Sequence, residues 1–193
     1  MCKSANLDKS SRLLSKINNW ASAWRPNKSG EGGRHKKTMA TRGQNVPKFH
    51  PLSESVKIAA IECGEVLSKR DTWKTIQIPS DPLGTCDAWD HGLGENLRHL
   101  CSNFVDEFPP LQEQSSSSEI RFNAVRFTKP AKVPMTPGVS VDLIPVFISR
   151  STPTVENKRL RIGEYVRLTE SGLIGNIDEG EGVYCICLLV LSR

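Results

Sequence analysis

Six cysteines and four histidines are the residues in this chain best suited to hold a metal, so their spacing sets the first limit on its chemistry. Cys86, His91, His99 and Cys101 fall close together, with four, seven and one residues between successive members. Those gaps fit no zinc pattern of known geometry. On a helix, His99 and Cys101 would also point to different sides. Cys185 and Cys187 share one face of a strand, where cysteine most often serves as a small buried hydrophobe. No metal and no other cofactor is expected.

Nucleophilic and phosphate chemistry fare no better. The chain has no G-x-S-x-G elbow, no Walker loop and no G-x-G-x-x-G following a strand. Gly92-Leu93-Gly94 would open a helix, and helix N-termini attract phosphate, but the third glycine and a following lysine are missing. Asp87 and Asp90 could pair for acid–base work and fit equally well as helix-start residues. Asp178, Glu179 and Glu181 sit among Gly175, Gly180 and Gly182, a composition that makes a hairpin loop. The chain is therefore read as a binding protein, not an enzyme, with no small-molecule substrate.

Charge carries the functional signal. The formal net charge is +5, yet residues 1–50 hold eleven Lys and Arg against two acids, a net of +9. The remainder holds fifteen basic and nineteen acidic residues, a net of −4. A basic arm on a near-neutral domain calls for polyanionic partners, either nucleic acid or an anionic membrane surface. Within the arm, residues 25–48 are rich in Gly, Lys and Arg with almost no apolar content, the composition of a disordered segment. The cluster Arg34, His35, Lys36, Lys37, with Arg42 beyond it, would contact phosphates or act as a short nuclear signal.

Residues 8–24 differ. Leu13, Ile17, Trp20 and Trp24 recur at spacings of four, three and four, which sets them on one helical face. Lys9, Arg12 and Lys16 lie to its sides and back, and Pro26 ends the helix. Two uses fit a basic helix with a tryptophan-bearing stripe. It can lie in a membrane interface, where indoles favour the headgroup level, or it can dock on the protein's own domain or on another copy.

The elements that must hold these residues follow from periodicity. Ser53 caps a helix over 54–68, with Val56 or Ile58, Ile61 and Val66 on its apolar side; the alternation of Val56 with Ile58 also permits a strand. Trp73 to Ile78 is a short strand, and Ser80 to Gly84 a turn. A helix between Asp87 and Phe108 keeps Leu93, Leu97, Leu100, Phe104 and Phe108 at spacings of three or four, and Pro109 and Pro110 end it. Glu119 to Thr128 alternates as a half-buried strand. Lys129 to Gly138 is a proline-rich connection. Val139 to Ile148, interrupted by Asp142 and Pro145, fits an edge or bulged strand. Leu160 to Leu168 and Val183 to Leu191 complete the set, the last apolar on both faces and so the central strand of a sheet.

Helices followed by strands indicate an α+β fold: a single compact domain over 51–193, with an antiparallel-rich sheet and one or two packed helices, preceded by a disordered basic arm. The run Val183 to Leu191, about nine residues, is far short of the roughly 20 that a spanning helix needs. No secretory signal or myristoylation pattern stands at the start, where residue 2 is Cys2. A cytosolic or nuclear protein with reduced cysteines is expected.

The basic arm, the Leu13–Trp24 stripe and the strand-rich C-terminal half together resemble, in general plan, the small matrix proteins of plant-infecting rhabdoviruses. The PP-x-Y budding motif of the animal relatives is absent, since Pro109-Pro110 is followed by Leu111 and Gln112. The resemblance implies a virion structural protein, found in the host cytoplasm or nucleus and peripherally membrane-associated. It would self-associate as a homo-oligomer and bridge viral nucleocapsid or RNA to an anionic membrane. Lys9, Arg12, Lys16, Arg34, Lys36, Lys37 and Arg42 would supply charge, with Trp20 and Trp24 at the interface. Two other readings stand beside it. One is an RNA-packaging coat protein with a jelly-roll domain, disfavoured by the long helix and the few strands. The other is a viral regulatory protein such as a silencing suppressor.

Overall fold

A computed structural model describes residues 47–70, 72–77, 85–89, 94–107, 119–133, 139–178 and 180–191. The elements, in chain order, are β1 (Lys48–Pro51), α1 (Glu54–Ser68), β2 (Trp73–Gln77), β3 (Thr85–Trp89), α2 (Glu95–Glu107), β4 (Glu119–Phe127), β5 (Ala131–Lys132), β6 (Val139–Ile148), β7 (Thr154–Val155), β8 (Lys158–Arg159), β9 (Glu164–Leu168), β10 (Leu173–Gly175) and β11 (Val183–Leu191). A seven-stranded sheet has the order β1-β9-β6-β11-β4-β3-β2, and a four-stranded sheet the order β5-β10-β7-β8. Every pairing is antiparallel. The fold is α+β as expected, although β1 precedes the first helix and β2 and β3 separate the two.

Three layers result, because successive side chains of a strand point to opposite faces. On β4, Phe122 and Ala124 pack under the helices with Leu97, Leu100, Phe104, Val56 and Ala60. Val125 and Phe127 point the other way and pack against Ala131, Val155, Leu160 and Ile174 of the smaller sheet and its connections. On β6, Ile144 and Val146 face the helices while Val141 and Leu143 face the small sheet. At β4 and β6 the large sheet is thus buried on both faces.

Several sequence expectations hold and several shift. β11 occupies the middle of the large sheet, where a strand apolar on both faces belongs. β6 is bulged but interior: Cys185 pairs with Pro145 and Tyr184 with Phe147, so Val146 is skipped, and β9 covers the other side. Asp142 is tolerated there because Arg167 of β9 neutralises it. β4 is buried on both faces rather than half-buried, with Asn123 only 9% exposed. The proline-rich connection contains β5, and Val133 within it is buried. β9 begins at Glu164, not at Leu160.

The helices also differ in detail. α2 starts at Glu95, and Asp87, expected as a helix-start residue, lies instead in β3 opposite Arg126. Leu93 and Phe108 fall outside the described residues. α1 spans the expected range, and the Ser53 hydroxyl accepts from the Val56 amide, but the apolar side is different. Val56, Ala59, Ala60, Cys63, Gly64 and Leu67 are buried, whereas Ile58, Ile61 and Val66 are 51%, 41% and 38% exposed. The helix buries its small residues because its backbone runs hard against β6. A Cβ built on Gly64 would stand 1.9 Å from the Val146 carbonyl oxygen.

Two expectations about extent change as well. β1 takes Lys48 to Pro51 into the sheet against Glu164 to Arg167, so a boundary between arm and domain at residue 50 falls inside a strand. The strands, expected to be few, number eleven among the described residues. They form a seven-stranded and a four-stranded sheet with a helical layer, unlike the paired four-stranded sheets of a jelly roll.

Candidate functional site

Where the chain enters the domain, a rigid basic hairpin meets it. β7 and β8 pair Val155 with Lys158, so Glu156 and Asn157 form a two-residue loop. Their φ angles of 48° and 65° are both left-handed, the geometry of a type I′ turn, whose twist matches that of the flanking strands. The loop is pinned from β10: the Glu156 amide donates to the Leu173 carbonyl at 3.0 Å, and the Glu156 carboxylate accepts from the Leu173 amide at 2.6 Å. Leu160 is buried in the core and its amide donates to the Pro153 carbonyl at 2.8 Å.

Around this anchor three cations stay in solvent. Lys158, Arg159 and Arg161 are all exposed, on either side of the buried Leu160. The Lys158 ammonium donates to the carbonyl of Pro47, at 3.4 Å, and Lys48 next to it is exposed. The hairpin therefore borders the place where residues 1–46 join the sheet. Lysine and arginine on β8 also guard an open sheet edge against pairing with another chain. The opposite layer carries the opposite sign, with exposed Glu54, Glu62 and Glu65 on α1 and Asp106 and Glu107 on α2.

Two partly buried ion pairs join neighbouring strands of the seven-stranded sheet, against which the hairpin's small sheet packs. The Asp142 carboxylate is 0% exposed and takes two hydrogen bonds from Arg167, at 2.8 and 2.7 Å. That fork-to-fork geometry compensates a buried charge as few arrangements can. The hydrogen bond to Asp142 pushes the Arg167 pKa further up. Nearby Tyr165 stacks on His50 at 5.0 Å and meets Phe104 edge-on at 5.1 Å. Burial, with the Asp142 charge adding to it, pushes its phenol up to about 12. At the other side of the sheet, Arg126 Nε and Nη2 both donate to Asp87 Oδ2, at 3.1 and 2.8 Å, and the guanidinium lies 5.0 Å from the Trp73 ring centroid, while Thr75 donates to Asp87 Oδ1.

The sequence-predicted site residues Lys9, Arg12, Lys16, Trp20, Trp24, Arg34, Lys36, Lys37 and Arg42 all lie outside the described residues. Sequence reasoning alone misses the hairpin cations, although the run Lys158-Arg159-Leu160-Arg161 carries the signal: one apolar anchor between exposed cations. Of the cysteine–histidine group weighed for zinc, Cys86 sits between the two sheets and Cys101 beneath the helices, on opposite faces of the large sheet. Burial raises the Cys86 thiol to about 12 and holds that of Cys101 well above its ordinary value. His99 is exposed and bonded to Asn103 at 3.3 Å. Among the described residues no group of three or more His, Cys, Asp or Glu side chains is placed to hold a metal ion, and no helix is long and apolar enough to cross a membrane. No family model matches the chain, and no curated protein or solved structure matches it either.

Proposed function

We propose that this chain is a matrix-type structural protein of a virus, bridging nucleocapsid and anionic membrane through a basic arm and a self-associating domain. One observation carries the reading: residues 1–46, of net charge +8, join the domain beside the exposed cations Lys158, Arg159 and Arg161. Arm and hairpin then form one basic surface for phosphate-bearing partners, while the net negative charge of the rest turns the helical layer away from them. The attraction is electrostatic and directed at backbone or headgroup phosphates, so it falls with salt. In the arm, Lys9, Arg12, Lys16, Arg34, Lys36, Lys37 and Arg42 supply charge, and Trp20 and Trp24 enter the interface.

The test is flotation of the full chain with anionic and with neutral vesicles, repeated for a variant carrying Lys158→Glu, Arg159→Glu and Arg161→Glu. The parent should float with anionic vesicles alone, and the variant should lose most of that binding while keeping its unfolding midpoint. In a parallel titration with single-stranded RNA, every phosphate that the variant no longer neutralises should flatten the salt dependence by about 0.7 in log–log slope. Equal binding by parent and variant would remove the hairpin from the site. RNA binding without flotation would replace the matrix reading with a packaging one.

A further inference from the structure

The outer side of α1 carries exposed apolar side chains interleaved with glutamates. Ile58, Ile61 and Val66 keep 51%, 41% and 38% of their surface in solvent, and at about 100° per residue they fall on one side of the helix. Glu62 and Glu65 lie between them and are exposed, as is Glu54 in the first turn. The buried side is already committed to α2 and β6. Next to the first half of α1, the Leu52 amide donates to the Gly163 carbonyl at 2.9 Å, and Gly163 lies against the Lys57 side chain. That loop brings Ile162, 37% exposed, to the same neighbourhood.

We infer that this outer side is the docking site, within the same molecule, for the arm segment from Asp8 to Trp24. The segment has the complementary pattern: Leu13, Ile17, Trp20 and Trp24 on one helical face, with Lys9, Arg12 and Lys16 beside it. Its charges oppose those of α1, whose three glutamates outnumber its single lysine, Lys57. The lengths agree too, since as helices both would run about 22 to 26 Å. Reach is no obstacle. The residues between Trp24 and Lys48 (25–47) span roughly 26 Å even as a compact coil, and β1 ends at Pro51, just before the Ser53 cap. A tether of that length holds the segment at an effective concentration on the order of millimolar, enough to populate a modest interface. Docked there, Trp20 and Trp24 are withdrawn from any membrane, so the arm must leave α1 before its indoles can enter a bilayer. The docking itself does not depend on the matrix reading.

Methyl NMR of the full chain, labelled at Ile, Leu and Val, tests this directly. Comparing the parent with Trp20→Ala/Trp24→Ala, the methyls of Ile58, Ile61 and Val66 should shift as the indole ring currents vanish, and the same shifts should persist on tenfold dilution. Unmoved methyls overturn the inference. Shifts that disappear on dilution overturn it also, because the occupant is then a second copy. As an independent check, Glu62→Lys/Glu65→Lys changes only exposed side chains and should raise the collisional quenching of tryptophan fluorescence. A folded variant with unchanged quenching rules the charge pairing out.

Discussion

Replacing Gly64 by alanine should destabilise the domain, although alanine is the better helix former. In an exposed helix the exchange stabilises by about 1 kcal/mol. Here the added methyl would stand 1.9 Å from the Val146 carbonyl oxygen and 2.6 Å from its carbon, both backbone atoms that cannot rotate away. Relief requires α1 to lift off β6 by more than an ångström, loosening Val56, Ala60, Cys63 and Leu67 against the sheet. Overpacking of this kind costs about 3 kcal/mol, which leaves a net loss of roughly 2 kcal/mol. With a urea m-value of about 2 kcal/mol/M, the unfolding midpoint should fall by about 1 M. Gly94→Ala is the steric control: at the N-cap of α2 it has nothing within 4 Å of the added methyl, so it should lose only the roughly 0.5 kcal/mol by which alanine caps less well, well under half the shift of Gly64→Ala. A Gly64→Ala midpoint equal to or above that of the parent would refute the close approach of α1 to β6, and with it the reason that Ile58, Ile61 and Val66 face outward.

Two further predictions concern buried polar groups. Arg167→Ala strands the fully buried Asp142 carboxylate without its guanidinium. It should cost about 3 kcal/mol, the lower end for a broken buried pair, because the arginine side chain is itself 31% exposed and water can follow it in. Asp142→Asn, which removes the stranded charge, should cost less; the reverse order in chemical denaturation would contradict the pairing described. Alkaline pH should weaken the fold. Burial raises the thiols of Cys63 and Cys86 from 9.0 to about 12 and the phenol of Tyr165 from 10.0 to about 12. These acids release their protons earlier in the unfolded chain, so their stabilising effect is complete below about pH 9 and is lost progressively up to about 12. Unfolding midpoints measured across that window should fall, and Cys63→Ala should fall less steeply. A flat profile for the parent would show that these groups are not sequestered.

What could be read from the sequence was whatever local chemistry dictates. Ser53 as a cap pointed to α1, with a strand left open over Val56 and Ile58, and the unbroken apolar run from Val183 sufficed to put β11 at the centre of a sheet. Charge counting alone separated a basic arm from a near-neutral domain. Periodicity placed Val56 correctly but misjudged Ile58, Ile61 and Val66, since it rewards large apolar residues, whereas the stretch pressed against β6 at Gly64 buries Ala59, Ala60 and Cys63 between Val56 and Leu67. Asp142 and Pro145 left either an edge or a bulged strand open. Tertiary structure chose the bulge, at Val146, and made the strand interior by supplying Arg167 from β9. Asp87 fitted a helix-start residue until Arg126, distant in sequence, claimed its carboxylate. The basic hairpin was visible as letters, Lys158 to Arg161, but its place beside Pro47 was not. Contacts between segments so far apart in the chain depend on which strands neighbour one another, and no local pattern encodes that.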